Sequence, residues 1–599
     1  MIMKLDLMGN GKIRIKSKNI WMDAAFTAVS LFMAFILIQL ESCSIFLWLG
    51  FKKIALNLLI EATLWVILFL IFGKIKFSCL AVLFLNFLVG FINAQVIMFR
   101  GNEITINDVQ AVRTAISVAG GYGIIMDIRL WIAAVLYVIM VIFISLIEFS
   151  KDRYGIKRIL ISVISAAIMI LGVYFASSFY TPFIWKEEGG LYNGILLEWV
   201  IELTNNKLVL PENYSEESVK ETISRYENLN IQSEENYETP NVIVIMSESY
   251  MDPDVLGDIE TSREYSAYFD EIFENTVHGY ALSSVYGGTT ANSEWEFLTG
   301  SSMFFLPQGS IPYQQYINSE ANSLVRILEA QGYNTLSIHP YKPGGWARDT
   351  VYPHLGFDNS LWDSDFQDSK FIREYISDES FYEEIIDTFE SKGSSPLFLF
   401  GISMQNHGGY AQMDLDELIT IENLEGDYRI ASEYLTLLSI SDEALKKLIS
   451  YFSDYDEEVV ILFFGDHQPY LEEALYEELG SDSLSRYVVP YFIWSNYADL
   501  SNADLGLTSF NYLSSIMLNT AGMEMPQYNQ ALLKIKEEIP VINSECYLKP
   551  AGRGWNYEHD LTADSILNDL WTLQYINDID DKMFSKYRSF FNIRGDNRQ

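Results

Sequence analysis

Polar side chains that suit metal binding or proton transfer follow four short apolar runs in the second half of this sequence. Glu248 follows "NVIVIMS", His339 follows "NTLSI", His407 follows "PLFLFGIS", and Asp466 and His467 end "VVILFFGDH". Three of the six histidines of the chain take part in this pattern. One such residue alone is more often a satisfied structural group, but four at equivalent positions favour a shared site.

Glu248, Asp466 and His467 together offer two carboxylates and one imidazole. A ligand set that is rich in oxygen and poor in nitrogen and sulfur favours Mg²⁺ or Mn²⁺ over the Zn²⁺ of structural sites. Such an ion acts as a Lewis acid on a phosphoryl or sulfuryl oxygen and lowers the pKa of a bound hydroxyl. The three residues therefore predict a divalent-metal centre for group transfer.

A nucleophile for that centre is offered by "VYGGTTANSEWEFLTG", residues 285 to 300. Two glycines permit a tight turn, and Thr290 begins what is predicted to be a helix. A hydroxyl at a helix N-terminus faces amide donors and the positive end of the dipole, which stabilise an alkoxide and a phosphate. Thr290 is alternatively a helix cap followed by Ser293 and Glu294. Thr289 is the neighbouring competitor.

The segment "HPYKPGGWARDTVY", residues 339 to 352, predicts further walls of a pocket. Arg348 is suited to hold phosphate oxygens with two hydrogen bonds, and Trp346 offers a flat apolar wall. The alternative interpretation is a surface loop with a solvated arginine.

The elements that must position these residues are predicted strands of an α/β domain. Runs that are apolar on both faces alternate with amphipathic helical patterns, which is typical of a mostly parallel sheet covered by helices on both faces. The predicted strands are residues 241–247, 334–338, 396–403, 458–465 and 488–494. Open sheets of this kind bind ligands beyond the carboxyl ends of their strands, which is where the polar residues lie.

The first part of the chain reads as a membrane module. Five hydrophobic stretches are each near the ~20 residues that span a bilayer: residues 20–40, 54–72, 77–98, 130–147 and 159–180. Lys and Arg concentrate in the N-terminal tail and in the second and fourth junctions, so the N-terminus is predicted to be cytoplasmic and the α/β domain extracellular. The predicted organisation is a five-helix module (1–180), a helical linker (181–240) and a catalytic domain (241–599).

Charge divides at the same boundary. Residues 1–180 hold 16 basic and 9 acidic residues, which gives a net charge of +7. Because the whole chain has a net charge of −39, residues 181–599 have a net charge of −46. This acidity disfavours nucleic acid as a partner. The chain has only three cysteines, Cys43, Cys79 and Cys546, so a hydrophobic core must stabilise the external domain without a disulfide framework.

Five spans followed by "SES", "GGTTANSEWEFLTG", His-x6-Trp-x-Arg, "NHGG" and "FFGDHQPY" resemble the lipoteichoic acid synthase family of phosphoglycerol transferases. These are membrane relatives of the sulfatases in the alkaline phosphatase superfamily. The resemblance covers nearly the whole chain and keeps the motifs in the family's order. It implies a sulfatase-like catalytic domain.

The resemblance also implies a role for each motif residue. The implied ligands of Mn²⁺, with Mg²⁺ as the alternative, are Glu248, Thr290, Asp466 and His467. The implied head-group or transfer residues are His339, Trp346, Arg348 and His407, so that Thr290, His339 and His407 are the expected catalytic residues. In the implied reaction, Thr290 attacks phosphatidylglycerol and releases diacylglycerol, and a polyglycerolphosphate, glycolipid or glycan acceptor then takes the glycerol phosphate.

Two departures from the family and three rival functions stay open at this point. Tyr341 stands where the family carries an acidic residue, and the Asn common before the arginine is missing, which leaves polymer synthesis less certain than phosphoryl transfer. A sulfatase needs a Cys or Ser in a C/S-x-P-x-R setting, which no cysteine of the chain has. The phosphoethanolamine transferases have disulfide-rich external domains. A binding protein on a decayed scaffold predicts broken ligand positions, but all four are competent here.

Overall fold

The structure, a computed structural model, describes most of the chain. The described residues are 5–7, 13–17, 19–42, 49–100, 103–109, 124, 126–149, 156–180, 189–205, 207–231, 237–272, 276–410, 417–551, 554–558 and 564–593. The chain divides into two compact units, one comprising 1–109 and 123–207 and the other 110–122 and 208–599. Each unit is described by itself below.

Long apolar helices build the first unit. Four are long and apolar enough to cross a membrane: Ile20–Ser42, Phe51–Phe72, Ile75–Met98 within the helix Ile75–Arg100, and Ile128–Leu146. The fifth predicted span is the helix Ile156–Ser177, with a described apolar stretch at Ser162–Ser177. Ala34 and Ala133 are buried between helices, whereas the large side chains of Phe84 and Val135 are exposed, as a lipid-facing surface requires. These helices identify a membrane protein.

Smaller elements complete this unit. A three-stranded sheet is formed by Leu5–Leu7, Ile13–Lys16 and Ile147–Glu148. Two short helices, Gly189–Tyr192 and Ile195–Asn205, follow the membrane helices.

The predicted linker, residues 181–240, is divided between the two units at residues 207 and 208. Its helix Ile195–Asn205 belongs to the first unit and its helix Glu216–Tyr226 to the second. The second helix begins at the predicted cap, Ser215, whose hydroxyl accepts a hydrogen bond from the Ser218 amide. Arg225 Nε then donates to Asp569 Oδ2 over 2.9 Å, so this helix is fastened to the C-terminal part of its unit.

An eight-stranded sheet forms the centre of the second unit. Its strands in spatial order are Ala503–Ser509, Thr276–Leu282, Val488–Ser495, Val459–Gly465, Asn241–Ser247, Leu397–Ile402, Asn334–Ile338 and Asn359–Leu361. Seven run in one direction and Val488–Ser495 runs against them. The prediction of a mostly parallel sheet is confirmed.

Successive side chains of the central strand Asn241–Ser247 point to opposite faces of the sheet, and helices cover both faces. Val244 points into one hydrophobic cluster, which includes Trp295 from a helix on that side. Ile245 points into a second cluster on the opposite face, which includes Phe381 from another helix. Both faces are therefore buried, which is why the strand has no polar alternation.

The remaining elements of the second unit surround this sheet. Its other helices are Ala267–Glu271, Thr290–Thr299, Pro312–Gln315, Leu324–Ala330, Arg348–Leu355, Asp378–Glu390, Arg429–Ser453, Glu473–Leu479, Phe510–Thr520, Gln527–Lys536, Ser565–Asp578, Asp581–Lys586 and Arg588–Phe591. Two further small sheets are the hairpin Phe371–Ile372 with Tyr375–Ile376, and the strands Val541–Ile542, Tyr547–Ala551 and Gly554–Glu558.

Candidate active site

The carboxyl ends of four adjacent strands bring the predicted site residues to one edge of the sheet. In spatial order these strands end before Asp466 and His467, before Glu248, in the segment that leads to His407, and before His339. The strands are parallel neighbours, so side chains that follow them converge.

Glu248, Asp466 and His467 form a buried cluster, which we call the metal cluster. One ligand atom from each lies within 4.8 Å of the others. His467 Nε2 is 3.2 Å from Asp466 Oδ2 and 3.9 Å from Glu248 Oε1. Burial raises the pKa of both carboxyls, and the charge of Asp466 raises that of Glu248 further. A cation between them would offset this cost.

The hydrogen bonds of the metal cluster leave Asp466 Oδ2 and His467 Nε2 facing each other. Asp466 Oδ1 accepts from the Ser249 and His467 amides over 2.7 and 2.8 Å, and the ring of His467 bonds through Nδ1 to the Gln468 carbonyl over 2.9 Å. Among the described residues, Asp466 Oδ2 and His467 Nε2 have no hydrogen-bond partner. With Nδ1 as the donor, two lone pairs face each other, so the residues present fit a bound divalent ion.

Glycine at position 465 permits the approach of the chain to this cluster. A Cβ atom there would lie 1.9 Å from the Tyr250 carbonyl oxygen, so no larger residue fits without movement of the backbone. In the turn after the strand Asn241–Ser247, Ser249 has a left-handed φ of 53°. Strained backbone of this kind persists where the surrounding structure holds it in place.

Thr290 begins the helix Thr290–Thr299, as the sequence predicted, and its side chain is buried. The preceding Thr289 has a left-handed φ of 68° and makes no side-chain cap, while Ser293 donates to the Asp466 carbonyl over 2.7 Å. Thr290 is the first residue of the helix and Thr289 is the cap position, so the alternative that Thr290 is the helix cap is not what the structure has. The Thr290 side chain lies beside Asp466 and lowers the pKa of that carboxyl against the effect of burial.

Arg348 forms an ion pair with Glu294, which the sequence suggested only as a residue behind a helix cap. Its Nε donates to Glu294 Oε1 over 3.0 Å and its Nη2 donates to the same carboxylate. The two side chains are only 3% and 0% exposed. The alternative of a solvated arginine does not hold. Tyr352 donates to Glu294 as well, over 2.8 Å.

His339 lies between a strand end and this arginine. Its Nδ1 donates to the Ile402 carbonyl over 3.1 Å, and its Nε2 accepts from Arg348 Nη1 over 3.1 Å. Burial, and then the charge of Arg348, hold the pKa of His339 well below its usual range. The ring is therefore neutral and sets the direction of the guanidinium. Glu294 and His339 together accept from three of the five N–H groups of Arg348.

His407 is held by the hairpin at residues 371–376. Tyr375 lies with its hydroxyl 3.1 Å from His407 Nδ1, and Arg373 donates to the Gln405 and His407 carbonyls over 2.7 and 2.6 Å. Burial, followed by the charges of Arg373 and His467, lowers the pKa of His407 to about 3. The half-buried ring is thus neutral and near the metal cluster.

Trp346 occupies the remaining predicted position. It is half-buried, packs against the larger hydrophobic cluster and has a left-handed φ of 55°. The next residue, Ala347, is also left-handed and precedes the helix Arg348–Leu355. This strained turn sets Arg348 at the start of that helix.

Part of the second unit is similar to known proteins. A protein-family model described as Sulfatase matches residues 240–523. This segment is a sulfatase-family domain. It contains every residue of the metal cluster, together with Thr290, His339, Arg348 and His407, so the site described above is the site of the sulfatase domain.

The relatives of this sulfatase domain include proteins with different names. A putative cyclic β-1,2-glucan modification protein of Rhizobium meliloti is 30% identical over 389 residues, which are 62% of this chain and 59% of that protein. Lipoteichoic acid synthase of Staphylococcus aureus is 27% identical over 219 residues, or 35% of this chain and 31% of that protein. The matches thus span less than two thirds of these relatives.

A solved structure agrees with the sulfatase fold. The Streptococcus pyogenes phosphoglycerol transferase GacH, in complex with sn-glycerol-1-phosphate, superposes with a TM-score of 0.55 at 24% identity, over 64% of this chain and 99% of that chain. The resemblance predicted from the motifs is confirmed. This chain has sequence and structural relatives among lipoteichoic acid synthases and phosphoglycerol transferases.

Proposed function

We propose that this chain is a metal-dependent phosphotransferase. It moves the glycerol phosphate group of phosphatidylglycerol to Thr290 and then to a hydroxyl of a polyglycerolphosphate, glycolipid or glycan, with release of diacylglycerol. The observation that carries the proposal is the buried hydroxyl of Thr290 at a helix N-terminus, beside Asp466, whose Oδ2 atom has no hydrogen-bond partner within the described part of the chain. The similarity to a lipoteichoic acid synthase and to a phosphoglycerol transferase supports phosphoglycerol transfer.

In the first step the Thr290 oxygen forms a bond to phosphorus. The bond from phosphorus to the diacylglycerol oxygen breaks, the threonine proton passes to a neutral pocket histidine, and the leaving oxygen takes up a proton. His407 is the neutral histidine beside the metal cluster. The amides at the start of the helix Thr290–Thr299 face the negative charge that develops on the phosphoryl oxygens.

In the second step an acceptor hydroxyl forms the new bond to phosphorus. The Thr290 bond to phosphorus breaks, and the proton of the acceptor hydroxyl leaves through a pocket histidine while Thr290 regains its own. The two-step route lets one site serve a membrane lipid and an acceptor in turn.

Mn²⁺, or Mg²⁺, supplies a Lewis acid that lowers the pKa of the Thr290 hydroxyl and withdraws charge from the phosphoryl group. Glu248, Asp466, His467 and Thr290 would hold this ion. Arg348 donates to the phosphate, and Trp346 provides a wall for the head group. His339 keeps the guanidinium oriented through its Nε2 atom.

The proposal includes the organisation read from the sequence. Residues 1–180 form a membrane module with a cytoplasmic N-terminus, 181–240 connect it, and 241–599 form an extracellular catalytic domain. The excess of Lys and Arg in alternate junctions supports this orientation at the cell membrane. The rivals are a phosphoethanolamine transferase or another superfamily hydrolase, and a binding protein on an inactive scaffold.

Mass spectrometry of the protein after incubation with lipid separates these hypotheses. The detergent-solubilised full chain with Mn²⁺ and phosphatidylglycerol is expected to gain a glycerophosphoryl group on the peptide that carries Thr290 and to release diacylglycerol. A phosphoethanolamine adduct, with phosphatidylethanolamine supplied in parallel, supports the first rival, and no adduct on either lipid supports the inactive scaffold.

Two matched variants test the nucleophile. Thr290→Ala is expected to lose both the adduct and diacylglycerol release. Thr289→Ala removes the same atoms from the neighbouring residue, whose hydroxyl makes no cap, and is expected to keep both. Undiminished turnover in Thr290→Ala would reject the assignment of this residue.

A further inference from the structure

Asp378 is a buried carboxylate next to the active site that the proposed chemistry does not use. It is the first residue of the helix Asp378–Glu390 and is 0% exposed. Ser441 Oγ, in the helix Arg429–Ser453, donates to Asp378 Oδ2 over 2.5 Å. Burial raises the pKa of Asp378 to about 6, and the hydroxyls of Ser441 and Ser403 act against this rise. A buried carboxylate that is hydrogen-bonded in this way holds its neighbours in fixed positions.

The second oxygen of this carboxylate lies beside Ser403, which binds the backbone of a metal ligand. The Glu248 amide donates to Ser403 Oγ over 3.0 Å, so the proton of that hydroxyl is available for another acceptor. Asp378 Oδ1 is a buried acceptor that no well-formed hydrogen bond from the described residues satisfies, and the Ser403 hydroxyl lowers the pKa of this carboxyl group. Rotation of the hydroxyl toward Oδ1 completes a chain from the Glu248 amide through Ser403 to Asp378.

The other oxygen of Asp378 leads to the segment that carries His407. While Ser441 Oγ donates to Asp378, it accepts from Gln405 Nε2 over 3.0 Å and from Asn406 Nδ2 over 2.9 Å. The Gln405 side chain also accepts from the Asp378 amide over 3.0 Å. Gln405 and Asn406 directly precede His407, and both are 0% exposed. Asp378 and Ser441 are therefore fastened to the segment on which His407 lies.

The hydrogen bonds of both branches run toward one negative charge. Each serine hydroxyl turns its proton toward the carboxylate and its lone pairs toward an N–H group of an active-site segment. A charged acceptor polarises the hydroxyls that donate to it, so the bonds in each branch strengthen one another. An amide in place of the carboxylate would present an N–H donor to one of these hydroxyls and would disrupt that branch.

We propose that Asp378 is a positioning residue that holds two parts of the active site in place: the turn that carries the metal ligand Glu248 and the segment that carries His407. It acts through Ser403 on the first part and through Ser441 on the second. The inference rests on the proposed function, because it concerns the same metal cluster and the same histidine. Loss of the Asp378 charge is therefore expected to weaken metal binding and turnover together.

Asp442, the residue after Ser441, offers a matched control. It is 3% exposed, and burial raises its pKa to about 6 as well. Its carboxylate accepts from the Tyr268 and Phe269 amides over 2.7 and 2.8 Å, so it fastens a different helix. Asp378→Asn and Asp442→Asn remove the same charge from two buried positions, so a general effect on the fold appears in both variants.

Mn²⁺ affinity and turnover are measured on the full chain in detergent. Asp378→Asn is expected to weaken Mn²⁺ binding about tenfold and to lower kcat for diacylglycerol release from phosphatidylglycerol roughly 10- to 100-fold, because it disturbs the support of a metal ligand. KM is expected to change little, since Arg348 and Trp346 keep their places. Asp442→Asn is expected to keep both values near those of the wild type, whatever its melting temperature. Electron paramagnetic resonance of free Mn²⁺ gives the affinity.

Ser403→Ala tests the branch to the metal ligand with a smaller change, and it decides the question if Asp378→Asn does not fold. It is expected to weaken Mn²⁺ binding as well. Combined with Asp378→Asn it is expected to cost little more than either change alone, because both substitutions break the same chain. Additive losses of Mn²⁺ affinity in the double variant would show that the two residues act independently and would overturn the inference.

Two further results would overturn the inference and leave the proposed function intact. One is wild-type Mn²⁺ affinity in folded Asp378→Asn or in Ser403→Ala. The other is an equal loss of turnover in Asp378→Asn and Asp442→Asn. Absence of diacylglycerol release by the wild type would instead reject the proposed function, so the two failures are distinguishable.

Discussion

The Glu294 carboxylate and the Arg348 guanidinium form an ion pair that is almost entirely removed from solvent. Removal of one partner from such a pair is strongly destabilising, because the other charge is left buried and uncompensated. The pair also fixes the plane of the guanidinium. Glu294 therefore positions the side chain of Arg348.

The variant Glu294→Gln tests this positioning. It keeps an acceptor of the same shape but removes the charge that orients Arg348, and we expect kcat/KM for phosphatidylglycerol to fall by roughly 10- to 100-fold, mainly through KM. Glu296→Gln is the matched control, because Glu296 is buried in the same helix but bonds to Ser284 and the Met303 amide. Equal kinetics in the two variants would contradict the role of Glu294.

A double variant separates stability from function at the same pair. Glu294→Met combined with Arg348→Met removes both charges, so its melting temperature is expected to lie above that of either single variant. Activity is expected to stay lost, since no guanidinium is present. Recovery of activity together with stability would mean that the pair serves only the fold.

Substitution of a ligand in the metal cluster is expected to remove the metal while the protein stays folded. Asp466→Asn keeps an oxygen for the Ser249 and His467 amides but removes a charged ligand, so we expect manganese retained after dialysis to fall at least about tenfold. Arg348→Lys is expected to retain the metal and to lose phosphatidylglycerol turnover. Elemental analysis by mass spectrometry gives the metal content, and full occupancy in Asp466→Asn would show that the ion is held elsewhere.

Substitution of Gly465 is expected to lower the stability of the protein through backbone packing alone. Gly465→Ala would place a Cβ atom 1.9 Å from the Tyr250 carbonyl, and we expect the free energy of unfolding to fall by about 2 kcal/mol or more. Gly393→Ala meets nothing within 4 Å and is the matched control, with an expected change within about 0.5 kcal/mol. Thermal melts of the two variants check this, and equal melting temperatures would contradict the contact.

Glu296 predicts a dependence of stability on pH. Burial raises the pKa of Glu296 to about 8 in the folded chain, so the folded state holds a proton that the unfolded state releases above its ordinary pKa of 4.5. The stability of the wild type relative to Glu296→Gln should therefore be greatest below pH 4.5 and fall as the pH rises to about 8. Melting temperatures of both proteins across this range test the sign, and a constant difference would contradict it.

The sequence predicted the elements that carry long apolar runs. The central strands and the residues that follow them were found because strands buried on both faces leave a continuous apolar signal. The edge strand Asn359–Leu361 has only three residues and was missed. The strands Thr276–Leu282 and Ala503–Ser509 were missed as well. Glycines interrupt both of them, and at Gly279 a Cβ would lie 2.5 Å from the Gly506 carbonyl, so this pairing needs glycine where a strand pattern expects a side chain.

The supporting residues of the site were missed for a different reason. Arg373 has a left-handed φ of 57° in a two-residue turn, and no Asn-Gly or Asp-Gly pair marks that turn in the sequence. Glu294 was visible, but its position behind Thr290 is equally typical of a helix cap. Only tertiary contact with Arg348, 54 residues further along the chain, separates the two interpretations.

The close approach at Gly465 has a consequence for the interpretation of other sequences. The contact with Tyr250 is made by the backbone, so the need for glycine does not depend on which lipid or acceptor the protein uses. A homologue that keeps an Asp-His pair but places a larger residue before it must have moved the turn that carries Glu248. The glycine before Asp-His thus reports the backbone geometry of this turn, whatever substrate the protein uses.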